Sequence, residues 1–125
     1  MREIKFRAWN KRTSKIIDLH KVTPLAVYGN VSDTQDGLYL PFDKDLILMQ
    51  YTGLKDKNGK EIYEGDLFEH DDGIIQVVWS EPMAGFECDF IKDPGNPILV
   101  SEVNDRCIVG NIYENPELLN KKGLI

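Results

Sequence analysis

The sequence predicts a mainly β protein, an N-terminal β-hairpin packed with a small β-barrel and followed by a short C-terminal helix. Three observations predict it. Apolar and polar residues alternate with a period of two along much of the chain, the signature of half-buried strands. From Glu64 to Tyr113 short apolar runs are broken by turn residues roughly every 6–12 positions, the spacing of small all-β folds. Helix signals occur only at the end of the chain.

In Ile4-Lys5-Phe6-Arg7-Ala8-Trp9, residues Ile4, Phe6 and Ala8 point one way and Lys5, Arg7 and Trp9 the other. A polar turn over 10–14 leads to a returning strand, Lys15-Ile16-Ile17-Asp18-Leu19, and completes the hairpin. Leu25-Ala26-Val27-Tyr28 and Leu38-Tyr39-Leu40 read as short strands around a polar loop over 29–37, with Pro24 and Pro41 marking edges or bends. Leu46-Ile47-Leu48-Met49-Gln50-Tyr51 is a continuous apolar run, as in a strand buried on both faces.

Asp56-Lys57-Asn58-Gly59 is the clearest local signal, because Asn-Gly supplies two residues that tolerate the positive φ of a tight hairpin turn. Glu61-Ile62-Tyr63 leaves that turn, Gly65-Asp66 punctuates, and Leu67-Phe68-Glu69 continues as strand. Asp71-Asp72-Gly73 turns into Ile74-Ile75-Gln76-Val77-Val78-Trp79, and residues 80–85 turn again into the alternating Phe86, Cys88 and Phe90. After a loop over 93–97 come a short strand, Ile98-Leu99-Val100, and a last one from Cys107 to Tyr113. Asn115-Pro116-Glu117 is a helix start, and Lys121, Lys122 and Gly123 are a helix stop. This order of glycine turns and aromatic-ended strands is similar to SH3-like barrels, which does not fix function. One domain over 1–125 is expected, with an N-terminal β subregion over 1–55, a barrel over 56–113 and the helix over 114–123.

With 42% hydrophobic and 29% charged residues the chain has the composition of an ordinary folded domain, which excludes disorder for most of it. No apolar run approaches the roughly 20 residues of a membrane-spanning helix, and the first residues lack the apolar stretch of a secretory signal. A cytoplasmic protein with reduced Cys88 and Cys107, both core-like, is expected. The net charge of −6 is uneven. Seven cations against Glu3 and Asp18 give +5 over residues 1–21, which leaves −11 for the other 104. A basic edge on an acidic body suits pairing with a sister subunit, or contact with an anion.

Three blocks are recognisable together: Arg2-Glu3-Ile4-Lys5-Phe6-Arg7-Ala8-Trp9-Asn10, the stretch from Leu48 through Tyr51-Thr52-Gly53-Leu54-Lys55-Asp56-Lys57-Asn58-Gly59 to Gly65-Asp66, and Gly110-Asn111-Ile112-Tyr113-Glu114-Asn115-Pro116-Glu117-Leu118-Leu119. In that order they resemble the YopX family of phage and prophage proteins, over nearly the whole chain. The resemblance implies a mostly-β, phage-encoded group without an assigned biochemical role, so it brings no catalytic residues. The blocks depart from the common pattern only slightly, with Ile108-Val109 ahead of Gly110-Asn111, and the central stretch over 20–45 carries no part of the resemblance.

The residues themselves supply no catalytic constellation. Glu69-His70-Asp71-Asp72 crowds four ligand types, but neighbours on a strand point to opposite faces and make a charged turn. A calcium loop starting at Asp56 would need a glutamate at its twelfth position, where Leu67 stands. Neither a Gly-x-Ser-x-Gly elbow, a phosphate loop nor HExxH occurs. Asn58, Gly59, Gly65 and Asp66 are expected to be structural, Asp66 by accepting backbone N–H groups at its turn. Catalytic residues, metals and cofactors are therefore not expected. The binding candidates are Arg7, Trp9, Lys11, Arg12 and Lys15 on the N-terminal hairpin. The expected function is a non-enzymatic accessory protein that binds protein, a second copy of itself or a host or phage partner. Nucleic-acid binding by the same basic hairpin is the second expectation, and an enzyme using Asp66 or the acids near Glu69 the third.

Overall fold

β-Branched and aromatic residues recur with period two along much of the chain, which forms eleven strands among the described residues. The computed structural model describes residues 3–22, 26–31, 38–41, 46–71 and 73–120, with side chains outside 20–45 and 120. The anticipated loop residues 32–37, Pro24, Asp72, and the helix-end residues Lys121, Lys122 and Gly123 lie outside the described residues, as do Arg2 and the side chain of His20.

The chain divides into two compact units, Met1–Tyr51 and Thr52–Ile125, with the boundary inside a strand. In the first unit β1 (Phe6–Asn10), β2 (Lys15–Val22), β3 (Ala26–Val31), β4 (Leu38–Pro41) and the leading part of β5 (Leu46–Lys55) lie in the order β4-β3-β2-β1-β5. Neighbours pair antiparallel, and Ala8 stands opposite both Ile17 and Leu48. Ala8, Ile17, Met49 and Tyr51 are its buried apolar residues. Both faces of β1 are covered, since Arg7 opposite Met49 is buried as well as Ala8. Ile4, expected to share the inward face with Phe6 and Ala8, is 64% exposed because it precedes the paired residues of β1.

In the second unit β6 (Glu61–Tyr63) follows the end of β5. β7 (Asp66–His70), β8 (Gly73–Ser80), β9 (Gly85–Phe90), β10 (Ile98–Leu99) and β11 (Ile108–Asn111) form an antiparallel sheet in the order β10-β9-β8-β7-β11, curled into a half-barrel. The alternation of Phe86, Cys88 and Phe90 read from the sequence contributes to its core. Ile75, Val77 and Cys88 face inward with Ile62, Phe68, Val100 and Val103, and Leu54, Phe86, Phe90, Ile98 and Ile108 pack around them. Each large apolar side chain so buried is worth roughly 1.5–3 kcal/mol.

Two local expectations are corrected. The Asn-Gly turn does not use two residues of positive φ. Among the described residues only Gly59 has it there, at +83°, and the Gly59 N–H donates to Asp56 O at 3.0 Å. This is the three-residue loop with a glycine bulge, an alternative that serves the same sequence. The C-terminal helix is, among the described residues, a 3-10 helix over Pro116–Asn120 with Leu118 N–H donating to Asn115 O at 3.1 Å. Five residues are too few to repay α-helix nucleation. The register shift between Ile108 and Gly110 makes Val109 a bulge residue.

Candidate functional site

The N-terminal hairpin presents its charge at the turn. Asn10 is buried, and its Oδ1 accepts the N–H groups of Arg12 at 3.0 Å and Thr13 at 3.4 Å, while Ser14 N–H donates to Asn10 O at 2.8 Å. A carboxamide that holds two backbone donors fixes the turn. Ser14 has φ +56°, the left-handed conformation that closes it. Lys11, Arg12 and Lys15 are thereby held exposed on a defined backbone.

The five binding candidates do not form one face. Arg7 is only 7% exposed, flanked in the register by Asp18 of β2 and Met49 of β5, and Trp9 is half-buried. The alternation along β1 puts Arg7 and Trp9 on one side of the strand, and Lys5 precedes it. It carried no information on whether that side is covered. Lys5 Nζ instead lies 5.7 Å from the Tyr51 ring centre and 3.5 Å from Glu3 Oε2.

The second block folds into interlocked turns. Asp56 is buried, and its carboxylate accepts three backbone N–H groups: Asn58 and Lys60 on Oδ1, both at 2.9 Å, and Ile108 on Oδ2 at 3.0 Å. Burial pushes this carboxyl up, but the bonds from Ile108, Lys60 and Asn58, with the Lys60 charge, outweigh it and hold the group below its ordinary value. Asp56 thus ties the Asn-Gly turn to β11, 52 residues away. Asn58 and Gly59 are exposed at the tip, and Asn58 Nδ2 donates to Cys107 Sγ at 3.2 Å. Gly65 and Asp66 are both buried, and Asp66 Oδ2 accepts Tyr63 N–H at 2.7 Å. Gly65 bonds through both its groups, N–H to Val77 O at 2.8 Å and O from Ile112 N–H at 3.0 Å. Asp66 thus bonds backbone as a turn residue.

Sequence reasoning missed Asn10, Asp56, Asn111 and Asn115 as a set. Asn111 is buried, its Oδ1 accepts Tyr113 and Glu114 N–H, and its own N–H donates to Asn115 Oδ1 at 3.2 Å. The signal was present for Asn10 and Asp56, short Asx side chains at predicted turns, the residue class that captures backbone a few positions away, whereas Asn111 was read inside a strand and Asn115 as a helix start.

The remaining reactive groups are scattered. Cys88 is fully buried, and burial with the nearby carboxylates of Asp89, Glu102 and Glu87 pushes its thiol up to about 12. Cys107 corrects the expectation of a core residue. It is exposed, since it precedes β11 instead of lying in it. His70 is half-buried against Phe90, ring centres 5.1 Å apart and edge to face. Glu69 and Asp71 are exposed, and among the described residues no three of His, Cys, Asp and Glu converge on a metal position. No helix among them is long and apolar enough to cross a membrane.

The fold has a solved counterpart. The crystal structure of protein EF1440 from Enterococcus faecalis is similar over 95% of this chain and 99% of that one, with a TM-score of 0.62 and 23% sequence identity, a likeness of fold alone. No curated protein matches the chain. The family model described as YopX protein matches residues 5–120, and the chain belongs to the YopX family.

Proposed function

We propose that this YopX protein is a non-enzymatic accessory protein, encoded by phage or prophage and working in the bacterial cytoplasm as one functional unit over 1–125. It acts by binding protein, first of all a second copy of itself and then a host or phage partner. The observation that carries this reading is the hydrogen-bonded turn at residues 11–14, where Asn10 holds the backbone that presents Lys11, Arg12 and the adjoining Lys15 to solvent. Ordering a contact loop before binding lowers the entropy cost of association. The contrast between a basic hairpin and an acidic remainder supports self-association by steering unlike surfaces together. On this reading the half-barrel is an SH3-like binding module, and its edge strands β10 and β11 are covered in the assembly.

Size-exclusion chromatography with light scattering tests it. A mass of two or more chains at micromolar concentration, falling as salt rises, is the expected result. A clean monomer up to hundreds of micromolar overturns it. A second reading, nucleic-acid binding by the same turn, draws on exposed cations beside the half-buried Trp9. It is weakened by the burial of Arg7 and by the net charge of −6. Flat fluorescence anisotropy with DNA and RNA at low salt dismisses it.

A further inference from the structure

The inward face of the half-barrel does not end where its core ends. On β8, Trp79 shares a face with Ile75 and Val77, and on β9 Phe86 shares that face with Cys88. Trp79 and Phe86 stand directly opposite in the register, rings 5.1 Å apart and edge to face, yet Trp79 is 45% exposed. Met83, in the turn joining the two strands, is 68% exposed. That turn is well defined: Ala84 N–H donates to Glu81 O at 3.1 Å, Met83 N–H donates to Ser80 Oγ at 3.4 Å, and Ala84 has φ +52°. A tryptophan, a methionine and a phenylalanine at one end of a hairpin are residue types that anchor protein contacts.

Charge identifies the occupant. Residues 73–90, the whole β8–β9 hairpin, contain Glu81, Glu87 and Asp89 and no lysine, arginine or histidine. Residues 6–17, around the N-terminal turn, contain Arg7, Lys11, Arg12 and Lys15 and no acid. The basic exposed turn at 11–15 therefore complements the acidic apolar tip of the β8–β9 hairpin. We propose that the β8–β9 tip, Trp79, Met83 and Phe86 with Glu81, is the docking surface for the N-terminal turn of a second copy, with Arg12 or Lys11 seated over the Trp79 ring. A guanidinium on an indole face is attracted by the ring quadrupole. Glu81 at the tip, with Glu87 and Asp89 on the opposite face of β9, adds steering over the roughly 8–10 Å that salt leaves unscreened. This inference rests on the self-association reading and names the surface that serves it.

A charge exchange tests it. K11E/R12E gives a chain whose turn and tip are both acidic, and E81K/E87K one whose turn and tip are both basic. Each alone is expected to run as a monomer where the unmodified chain associates, and an equimolar mixture is expected to associate again. W79A, at an exposed position, is expected to raise the dissociation constant by at least about tenfold. E81K alone serves where the double variant loses its native circular-dichroism spectrum. An associating chain that is indifferent to W79A, and variants whose mixture does not reassociate, overturn the docking surface while leaving self-association standing. A monomeric unmodified chain overturns both.

Discussion

Replacing Asp56 by Asn isolates one bond that ties distant parts of the sequence together. The two turn bonds, from Asn58 and Lys60, both fall on Oδ1, and the long-range bond from Ile108 falls on Oδ2. Asn keeps an oxygen for the turn and places an NH2 where Ile108 N–H needs an acceptor. That leaves a half-buried donor facing a donor, a loss of about 1–3 kcal/mol. Asp56→Ala also removes the turn bonds, adding about 1 kcal/mol, and so should cost about 3 kcal/mol altogether. With a urea m-value of about 1.5 kcal/mol/M, the midpoints should fall by about 1 M for the amide and about 2 M for alanine. Urea titration followed by tryptophan fluorescence measures both. Because the folded protein holds this carboxyl below its unfolded value, its contribution is fully present above pH 4 or so. It is lost as the pH falls through the lower folded-state value. The gap between the unmodified chain and Asp56→Asn should therefore narrow under acid. An Asp56→Asn midpoint indistinguishable from the unmodified chain at pH 7 would refute the cross-link.

Gly110→Ala should destabilise by about 1–3 kcal/mol, because the added methyl meets the Asn115 side chain that accepts Asn111 N–H. In an Asn115→Ala background, which removes the two nearest of the three contacting atoms, the same change should cost clearly less, and additive costs in thermal melts would contradict the interlock. Native chain should release one equivalent of thiol to Ellman's reagent, from exposed Cys107, and a second only in urea, from buried Cys88. Two fast equivalents without denaturant would show that Cys88 is not enclosed. Asn10→Ala should cost about 1 kcal/mol and loosen the basic turn. Unchanged hydrogen exchange at Arg12 and Thr13 would refute its role.

Period two places side chains on alternate faces whatever the strand packs against, so the sequence alone determined the mainly β class, the position of most strands and the shared face of Phe86, Cys88 and Phe90. Local chemistry likewise marked the turns at Asp56 and Gly65, since Asx and Gly act on backbone within a few residues. Burial of the second face was not legible. Whether Arg7 meets solvent depends on β5 arriving beside β1 from some 40 positions away, and whether Trp79 is enclosed depends on where the half-barrel's core stops. The third partner of Asp56 lies 52 residues along the chain. Such contacts are set by strand order, and strand order is fixed by the summed burial of the whole sheet, so no short window of sequence carries it.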